Sequence, residues 1–298
     1  MKKVMLWTAL IVVLVVSVGC GSKPNPYGKY TDPDHPKEGA FDFRPDGKVY
    51  VIVNGSEKEN MPYTIAGDII TIKLPQQGKS LTGTIKGNTL TLEQGGRKVV
   101  LVKEGVATES EKAVARESLA PQRIAANEAA AQGNLKVVMS AQMSWRQQDA
   151  ENNERRDYWT YDVSCLYRML RTDGKIKVDM IPLDTAKADA KPADAKLFEG
   201  KMEDWSAVKP EPRYGYFFQA MTTDENGEAY NQNELNGVKV ANDYKFAFVA
   251  YPADYDKSGK NTFIVNESGT VYRKDTAGQP VLKWPAADPA SAGWQIAE

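Results

Sequence analysis

Apolar and polar positions divide the chain into stretches of sharply different pattern. Val4 to Val18 is almost unbroken apolar sequence, interrupted by Thr8 and Ser17. That run is shorter than the ~20 residues a membrane-spanning helix needs. Residues 39–104 carry short apolar pieces at close spacing, among them Val49 to Val53, Ile69 to Leu74, Leu81 to Ile85 and Val99 to Val102. Turn formers stand between them: Asp46-Gly47, Asn54-Gly55, Gly67-Asp68, Gln77-Gly78, Gly87-Asn88 and Gly95-Gly96. Ile70, Ile72 and Leu74 alternate with Thr71 and Lys73, the period of a strand with one buried face. The pattern predicts an antiparallel meander of about seven strands.

Residues 107–154 are rich in Ala, Glu, Gln, Lys and Arg, all good helix formers. Pro121 and Gly133 are expected to break this stretch into three pieces, the last from Asn134 to Asn152. Leu135, Val138, Met139, Gln142 and Trp145 fall at helical spacing, a stripe that would cover one sheet face. Farther on, Ile176 to Ile181 reads as a short extended piece, and the Ala/Lys/Asp/Pro-rich stretch from Asp184 to Lys196 as a mobile, solvated loop. Tyr214 to Thr222, Tyr244 to Tyr251 and Thr262 to Asn266 read as strands, with Thr270 to Arg273 as hairpin mate across Ser268-Gly269. Trp284, Pro285 and Trp294 are expected on the sheet edge. The predicted class is α+β: a small N-terminal antiparallel meander or barrel-like module, then a long helix on an antiparallel sheet.

The N-terminus changes the picture from fold to address. Lys2 and Lys3 before the apolar run make an export signal. Ser17-Val18-Gly19-Cys20, followed by Gly21-Ser22-Lys23-Pro24-Asn25-Pro26, resembles the bacterial lipoprotein signal. The resemblance implies a palmitate-type lipid on Cys20 as the first mature residue, although Ser17 stands where that family usually has leucine. Gly21 in place of aspartate implies the outer membrane, with the protein facing the periplasm. The expected organisation is signal peptide 1–19, tether 20–38, β module 39–104, linker or helix 105–120 and α+β domain 121–298.

Charge and composition remove several function classes. The chain has 38 basic and 39 acidic residues, a net of −1, without the basic excess that neutralises phosphates, so no nucleic-acid partner is expected. Two cysteines and one histidine exclude a disulfide scaffold and a Cys/His zinc cluster. Cys165 lies among apolar and aromatic neighbours, and His35 in Asp32-Pro33-Asp34-His35-Pro36, so no nucleophile–histidine pair is expected. Asp254-x-Asp256-x-Ser258-Gly259 copies the opening of a calcium loop, but Val265 stands where its closing glutamate belongs. Ser206-Ala207-Val208-Lys209 repeats a serine–lysine spacing found in penicillin-binding enzymes, without their Ser-Asp-Asn element. Asp224-Glu225-Asn226-Gly227-Glu228 reads as a plain turn.

Two modules resemble known families. Phe43-Arg44-Pro45-Asp46-Gly47-Lys48-Val49-Tyr50 and Gly83-Thr84-Ile85-Lys86-Gly87-Asn88-Thr89-Leu90 resemble lipocalin-like β modules; at ~65 residues a filled core is expected. Ala125-Ala126-Asn127-Glu128-Ala129-Ala130-Ala131 and Asn134 to Gln142 resemble the helix of type IV pilins and type II secretion pseudopilins. Asp157 to Val163, Tyr214 to Phe218, Tyr251 to Tyr255 and Thr262 to Gly269 are similar to a family of exported bacterial proteins of unknown function with that pseudopilin-like fold. The resemblance implies a fold and an envelope setting, and brings no catalytic residue. Unlike a pilin, this chain has a charged stretch, Thr108 to Gln122, where the assembly-driving apolar helix would stand. A monomer or small oligomer is therefore expected.

The site expectations are accordingly sparse: lipidation at Cys20, and no catalytic, cofactor-binding or metal residue. Two functions remain open. One is a non-enzymatic envelope lipoprotein, a binding or structural module with a lipid anchor and an envelope protein partner. The other is a secreted hydrolase or small-ligand carrier whose site is assembled from scattered carboxylates and tyrosines. Carboxylates with shifted pKa converging in a pocket would favour the second.

Overall fold

A computed structural model describes residues 25–75, 78–94, 97–170, 177–198 and 200–297. The expected signal peptide, residues 1–19, and the expected lipidation residue Cys20 lie outside the described residues. The chain divides into two compact units between Leu119 and Ala120, and its class is α+β.

The first unit is a closed eight-stranded antiparallel barrel. In chain order its strands are β1 Gly28–Thr31, β2 Gly39–Phe43, β3 Lys48–Val53, β4 Ser56–Ala66, β5 Ile69–Lys73, β6 Ser80–Lys86, β7 Thr89–Gln94 and β8 Arg97–Lys103. The meander expected from residue 39 therefore gains a strand from the stretch read as tether. Gly28-Lys29-Tyr30-Thr31 pairs with β2 on one side and β8 on the other, which removes both sheet edges. Tyr30 supplies the driving force, with no surface exposed and its ring edge-on to Phe43 at 5.7 Å. The Asn54-Gly55 turn joining β3 to β4 has positive φ at both residues, 49° and 74°, as a tight hairpin requires.

Alternation sends Tyr30, Phe43, Val49, Met61, Ile70, Ile72, Ile85 and Leu90 inward, and these fill the barrel. Gly83 on β6 is an inward position of another kind. A Cβ there would sit 2.4 Å from the Thr91 carbonyl oxygen and 2.8 Å from the Leu92 side chain, so neighbouring strands occupy the space a side chain would need. The antiparallel order gives the barrel two unlike ends. The β1–β2 and β3–β4 connections lie at one end, the mouth. The β2–β3, β4–β5 and β6–β7 turns lie at the other, the base, where the chain also enters at Gly28 and leaves after Lys103.

One helix, α1, runs over Glu109–Gln148, where breaks at Pro121 and Gly133 were expected. It opens with a reciprocal cap: Thr108 N donates to the Glu111 carboxylate at 2.8 Å, and Glu111 N donates to Thr108 Oγ1 at 3.3 Å. Pro121 and Gly133 both lie on its exposed side. Burial of its apolar positions outweighs their poor propensity, since tertiary packing supplies most helical stability in proteins. In the first unit Ala115 packs on Val100 and Val102, the outward side chains of β8.

In the second unit Ala131, Leu135, Val138, Ala141 and Trp145 of α1 share one core with an antiparallel sheet of β10 Tyr216–Ala220, β13 Ala247–Pro252, β14 Asn261–Asn266, β15 Tyr272–Asp275 and β16 Gln295–Ile296. Tyr216, Phe218, Phe248, Phe263 and Val265 face the helix. Val249 and Ile264 face the opposite way, where Trp284 and Trp294 cover them. The tail aromatics thus cover a sheet face rather than an edge; β16 takes the edge beside β15. A smaller sheet joins β9 Tyr158–Trp159 to β12 Val238–Asn242 and β11 Asn233–Leu235. These elements leave the second unit as a helix on an antiparallel sheet without fixing a pilin-like arrangement.

The segment between β9 and β10 departs most from expectation. Lys177 makes a single bridge to Leu170 in place of a strand. The stretch read as a solvated loop holds α3, Leu183–Lys187, and buries Thr185, Ala186, Ala188, Asp189, Ala193 and Ala195. Alanine packs closely without side-chain entropy loss, and the aspartate is satisfied internally, so a composition typical of loops becomes core.

The barrel's close approach at Gly83 gives a direct test. Gly83→Val should destabilise the barrel by about 1–3 kcal/mol through overpacking, read as a lower denaturant midpoint. The exposed-helix change Gly133→Ala should stabilise by about 0.5–1 kcal/mol.

Candidate functional site

Two clusters of buried acidic side chains stand out in the second unit. At the first, α2 (Cys165–Arg168) follows directly on Asp162. Asp162 accepts hydrogen bonds from Trp159 Nε1 at 2.8 Å, Cys165 N at 3.2 Å, Ser164 Oγ at 2.5 Å and Ala193 N at 2.8 Å. Arg168 faces it at 3.4 Å, and both side chains are fully buried. The same guanidinium donates to Ser164 Oγ at 2.9 Å, to Glu203 O at 3.2 Å and to Ala193 O. Asp189 accepts from Val163 N, Ser164 N and Lys191 N at 2.7–2.9 Å. Burial raises the Asp189 pKa and the neighbouring Asp162 charge adds to the rise, against the three N–H donors. These bonds tie the backbone at Val163 to Cys165 to that at Lys191 to Ala193, so the cluster clasps the chain.

The second place is the exit of α1. Asp149, Asn152 and Glu154 all have positive φ, and the Asp149 carboxylate holds the turn by accepting from Asn153 N and Glu154 N. The turn folds Glu151 inward to 6% exposure, where neither carboxyl oxygen has a hydrogen bond of normal geometry. Burial, then repulsion from Asp157, pushes Glu151 up to about 9. Asp157 is raised too, chiefly by burial, although Asn233 Nδ2 donates to it at 3.0 Å. Asn233 also donates to Asp243 at 2.9 Å. A proton held on Glu151 keeps like charges from meeting in this site.

The open cavities lie elsewhere. The barrel mouth is a recess of about 400 Å³ lined by Phe41, Val51, Val53, Val99 and Leu101, with Asp32, His35 and Glu38 among its polar residues. In the second unit a groove of about 510 Å³ runs along Lys136, Ser140 and Ser144 of α1 beside Asp179 and Met180. Glu151, Asp157 and Asp189 line neither of them.

Among residues singled out from sequence, Cys165 is fully buried with Sγ 3.6 Å from Met202 Sδ, and burial pushes its thiol well up. His35 is exposed in the other unit, 3.5 Å from Asp32. Ser206 and Lys209 are both exposed, and the Ser206 amide bonds to Asp204 at 2.8 Å. Among the described residues no group of three His, Cys, Asp or Glu side chains is arranged to hold a metal. In the calcium-like loop, Asp254 pairs with Lys257 at 3.0 Å. Its glycine has a packing reason: a Cβ on Gly259 would fall 2.0 Å from Tyr216 Oη. Asp224 is a buried turn acceptor for Asn226 N and Glu228 N, paired with Lys245 at 2.7 Å.

The helix motif has a structural task as well. Asn127 Nδ2 donates to Ser258 O at 2.8 Å, and the Glu128 carboxylate accepts from Lys260 N, Asn261 N and Asn261 Nδ2 at 2.9–3.0 Å. Together they hold the β13–β14 loop against the helix.

Residues 89–285 match a family described as a protein of unknown function, DUF2950. The chain belongs to that family. The match starts at β7 and contains both buried clusters, the helix motif and the loop that it holds. Strands β1 to β6 precede the part matched to DUF2950. No curated protein and no solved structure matches the chain.

Two measurements test the buried groups. Glu151 has its pKa raised from 4.5 to about 9, so the folded state retains a proton that the unfolded chain releases. Its stabilising contribution is full below pH 4.5 and is lost as pH rises toward 9, by up to about 1.4 kcal/mol per pH unit. Melting followed from pH 5 to 9 should show this decline, and Glu151→Gln should flatten it. Arg168→Met leaves the Asp162 charge without its cation and should cost about 3–5 kcal/mol in denaturant unfolding. Retained stability would mean that the remaining donors, Trp159 Nε1, Ser164 Oγ and the amides of Cys165 and Ala193, satisfy Asp162.

Proposed function

We propose that the chain is an exported envelope lipoprotein, anchored by a lipid on Cys20 in the outer membrane and facing the periplasm. It acts as a non-enzymatic binding or structural module toward an envelope protein partner. The observation that carries this reading is the separation of its perturbed acids from its open cavities. Glu151 and Asp189, the described carboxylates raised most by burial, are sealed among protein groups. A hydrolytic site needs such a group within hydrogen-bond reach of substrate. The filled barrel and the helix-on-sheet second unit present surfaces instead.

A pseudopilin-like ancestry for the second unit is supported by the stripe of α1 packed on an antiparallel sheet. Filament growth is not part of the proposal. The helix commits Leu135, Val138 and Trp145 to its own core, all with no exposed surface, and leaves no second broad apolar face for neighbours. The apolar mouth of the barrel favours a second reading, a small-ligand carrier, whose test is saturable binding of an apolar fluorescent probe that Val51→Asp weakens.

The anchor is tested in cells fed labelled palmitate. The wild-type chain should carry label and fractionate with membranes, and Cys20→Ala should lose both properties. A wild-type chain without label would overturn the anchoring.

A further inference from the structure

The barrel base differs from the barrel mouth in what it shows to solvent. Among the described residues of the first unit, six large apolar side chains are exposed: Tyr27, Val53, Ile65, Ile69, Val106 and Val114. Four of them belong to the base. Ile65 and Ile69 flank the β4–β5 turn, Tyr27 precedes β1, and Val106 follows β8. The base is knitted together by hydrogen bonds that bring these positions to one end. Lys103 Nζ donates to Asn25 O at 3.0 Å, and Glu104 N to Lys29 O at 2.8 Å. Asn88 Nδ2 donates to Val106 O at 3.3 Å, and Ile85 N to Asp68 O at 2.8 Å. Tyr27 lies close enough to Tyr63 to raise its pKa, second to burial, and Tyr63 is two residues from Ile65. At the mouth, only Val53 is an exposed large apolar side chain among the described residues.

The position of the anchor selects what covers this face. Asn25 is pinned at the base, and Cys20 precedes it by five residues. Five residues span at most about 18 Å when fully extended, so a lipid on Cys20 cannot hold the base far from the bilayer. The side chains suit that neighbour. A tyrosine with an apolar body and a polar tip is favoured at the membrane–water interface, and three aliphatic side chains gain by leaving water. Lys29, Lys48 and Lys86 are exposed on strand ends at the base, within reach of lipid phosphates, and Asp46, Asp68 and Glu104 keep the end from strong net charge.

We propose that the barrel base, through Tyr27, Ile65, Ile69 and Val106, docks on the phospholipid surface in which Cys20 is anchored, so that the barrel mouth faces away from the membrane. The proposal rests on the lipid-anchor reading and adds an orientation to it. The docking is shallow, because the tether already supplies the attachment and the four side chains need only reach the headgroup boundary.

The test uses the full chain purified from cells in lipidated form and reconstituted in vesicles of phosphatidylethanolamine and phosphatidylglycerol. Single nitroxide labels are placed at Ile69→Cys, Val106→Cys and, at the mouth, Val53→Cys. All three positions are exposed, and Cys165 is fully buried, so label goes to the new thiol once Cys20 is acylated. Docking raises accessibility to oxygen over that to a water-soluble nickel chelate severalfold at 69 and 106, and leaves 53 water-like. Water-like values at all three positions on a lipidated, vesicle-bound chain overturn the docking and leave the anchor standing. Spin–spin broadening at 69 without oxygen accessibility means that a second copy covers the base, which also overturns it. A chain that carries no lipid overturns the anchor reading, and the orientation with it. In the variant Ile69→Asp with Val106→Asp, the melting curve should be unchanged and a label at Tyr27→Cys should become water-like.

Discussion

The second unit depends on supplying hydrogen-bond partners to a buried chain that is mostly neither helix nor strand. From Thr160 to Arg213 the described regular elements are α2, α3 and a turn of 3-10 helix at Ala195–Phe198. Yet Val163, Met169, Ala188 and Ala193, outside those elements, lie in the core. Buried backbone N–H and C=O groups outside a ladder must find other partners or cost folding free energy. Two aspartates and one arginine meet much of that need. Asp162 and Asp189 accept from the amides of Val163, Ser164, Cys165, Lys191 and Ala193, while Arg168 donates to the carbonyls of Ala193 and Glu203. The carboxylates meet N–H groups and the guanidinium meets carbonyls, so each buried polar group faces a partner of the opposite kind. A buried ion pair is weak evidence for stability in general. Here its worth lies in the backbone that it organises.

The same reasoning separates chemistry from architecture. Raised carboxylate pKa values cluster at active sites, but structural networks raise them too. The deciding feature is access. Glu151 and Asp189 owe their shifts first to burial, and the burial comes from neighbouring protein rather than from the walls of a cleft. A carboxyl group in such a place stores a pH dependence of folding. The family match covers both clusters.

Regular elements were legible in the sequence where one periodicity acts alone. Ile70 and Ile72 alternate with Thr71 and Lys73 and form β5; Leu135, Val138 and Trp145 recur at helical spacing and point into one core. β1 escaped because four residues, one of them glycine, carry no readable period, and its reason to pair is barrel closure against β8, more than 70 residues later. Pro121 was read as a break because propensity is local, whereas the burial that holds α1 together is not. The Asp184 to Lys196 stretch hides its burial for a related reason. Its alanines look like a flexible tract in isolation, and only the partners of Asp189, over twenty residues upstream, make it core. Within the Asp162 cluster the one local hint was Asp162-x-Ser164 followed four residues later by Arg168; the bonds from Ala193 and to Glu203 lie too far along the chain to be read.

The two barrel ends show how a fold can convert covalent connectivity into orientation. In a closed antiparallel barrel with an even number of strands, the chain enters and leaves at the same end. Strand number alone therefore puts Gly28 and Lys103 together, and Lys103 binds the backbone of Asn25 to confirm the pairing in hydrogen bonds. The chain therefore meets the barrel at the base, where Asn25 is held. The mouth, lined by Phe41, Val51 and Val99, lies at the opposite end. An odd number of strands would have sent the incoming chain across the mouth. By this argument the short β1, invisible as a pattern, is what sets the two ends of the module apart.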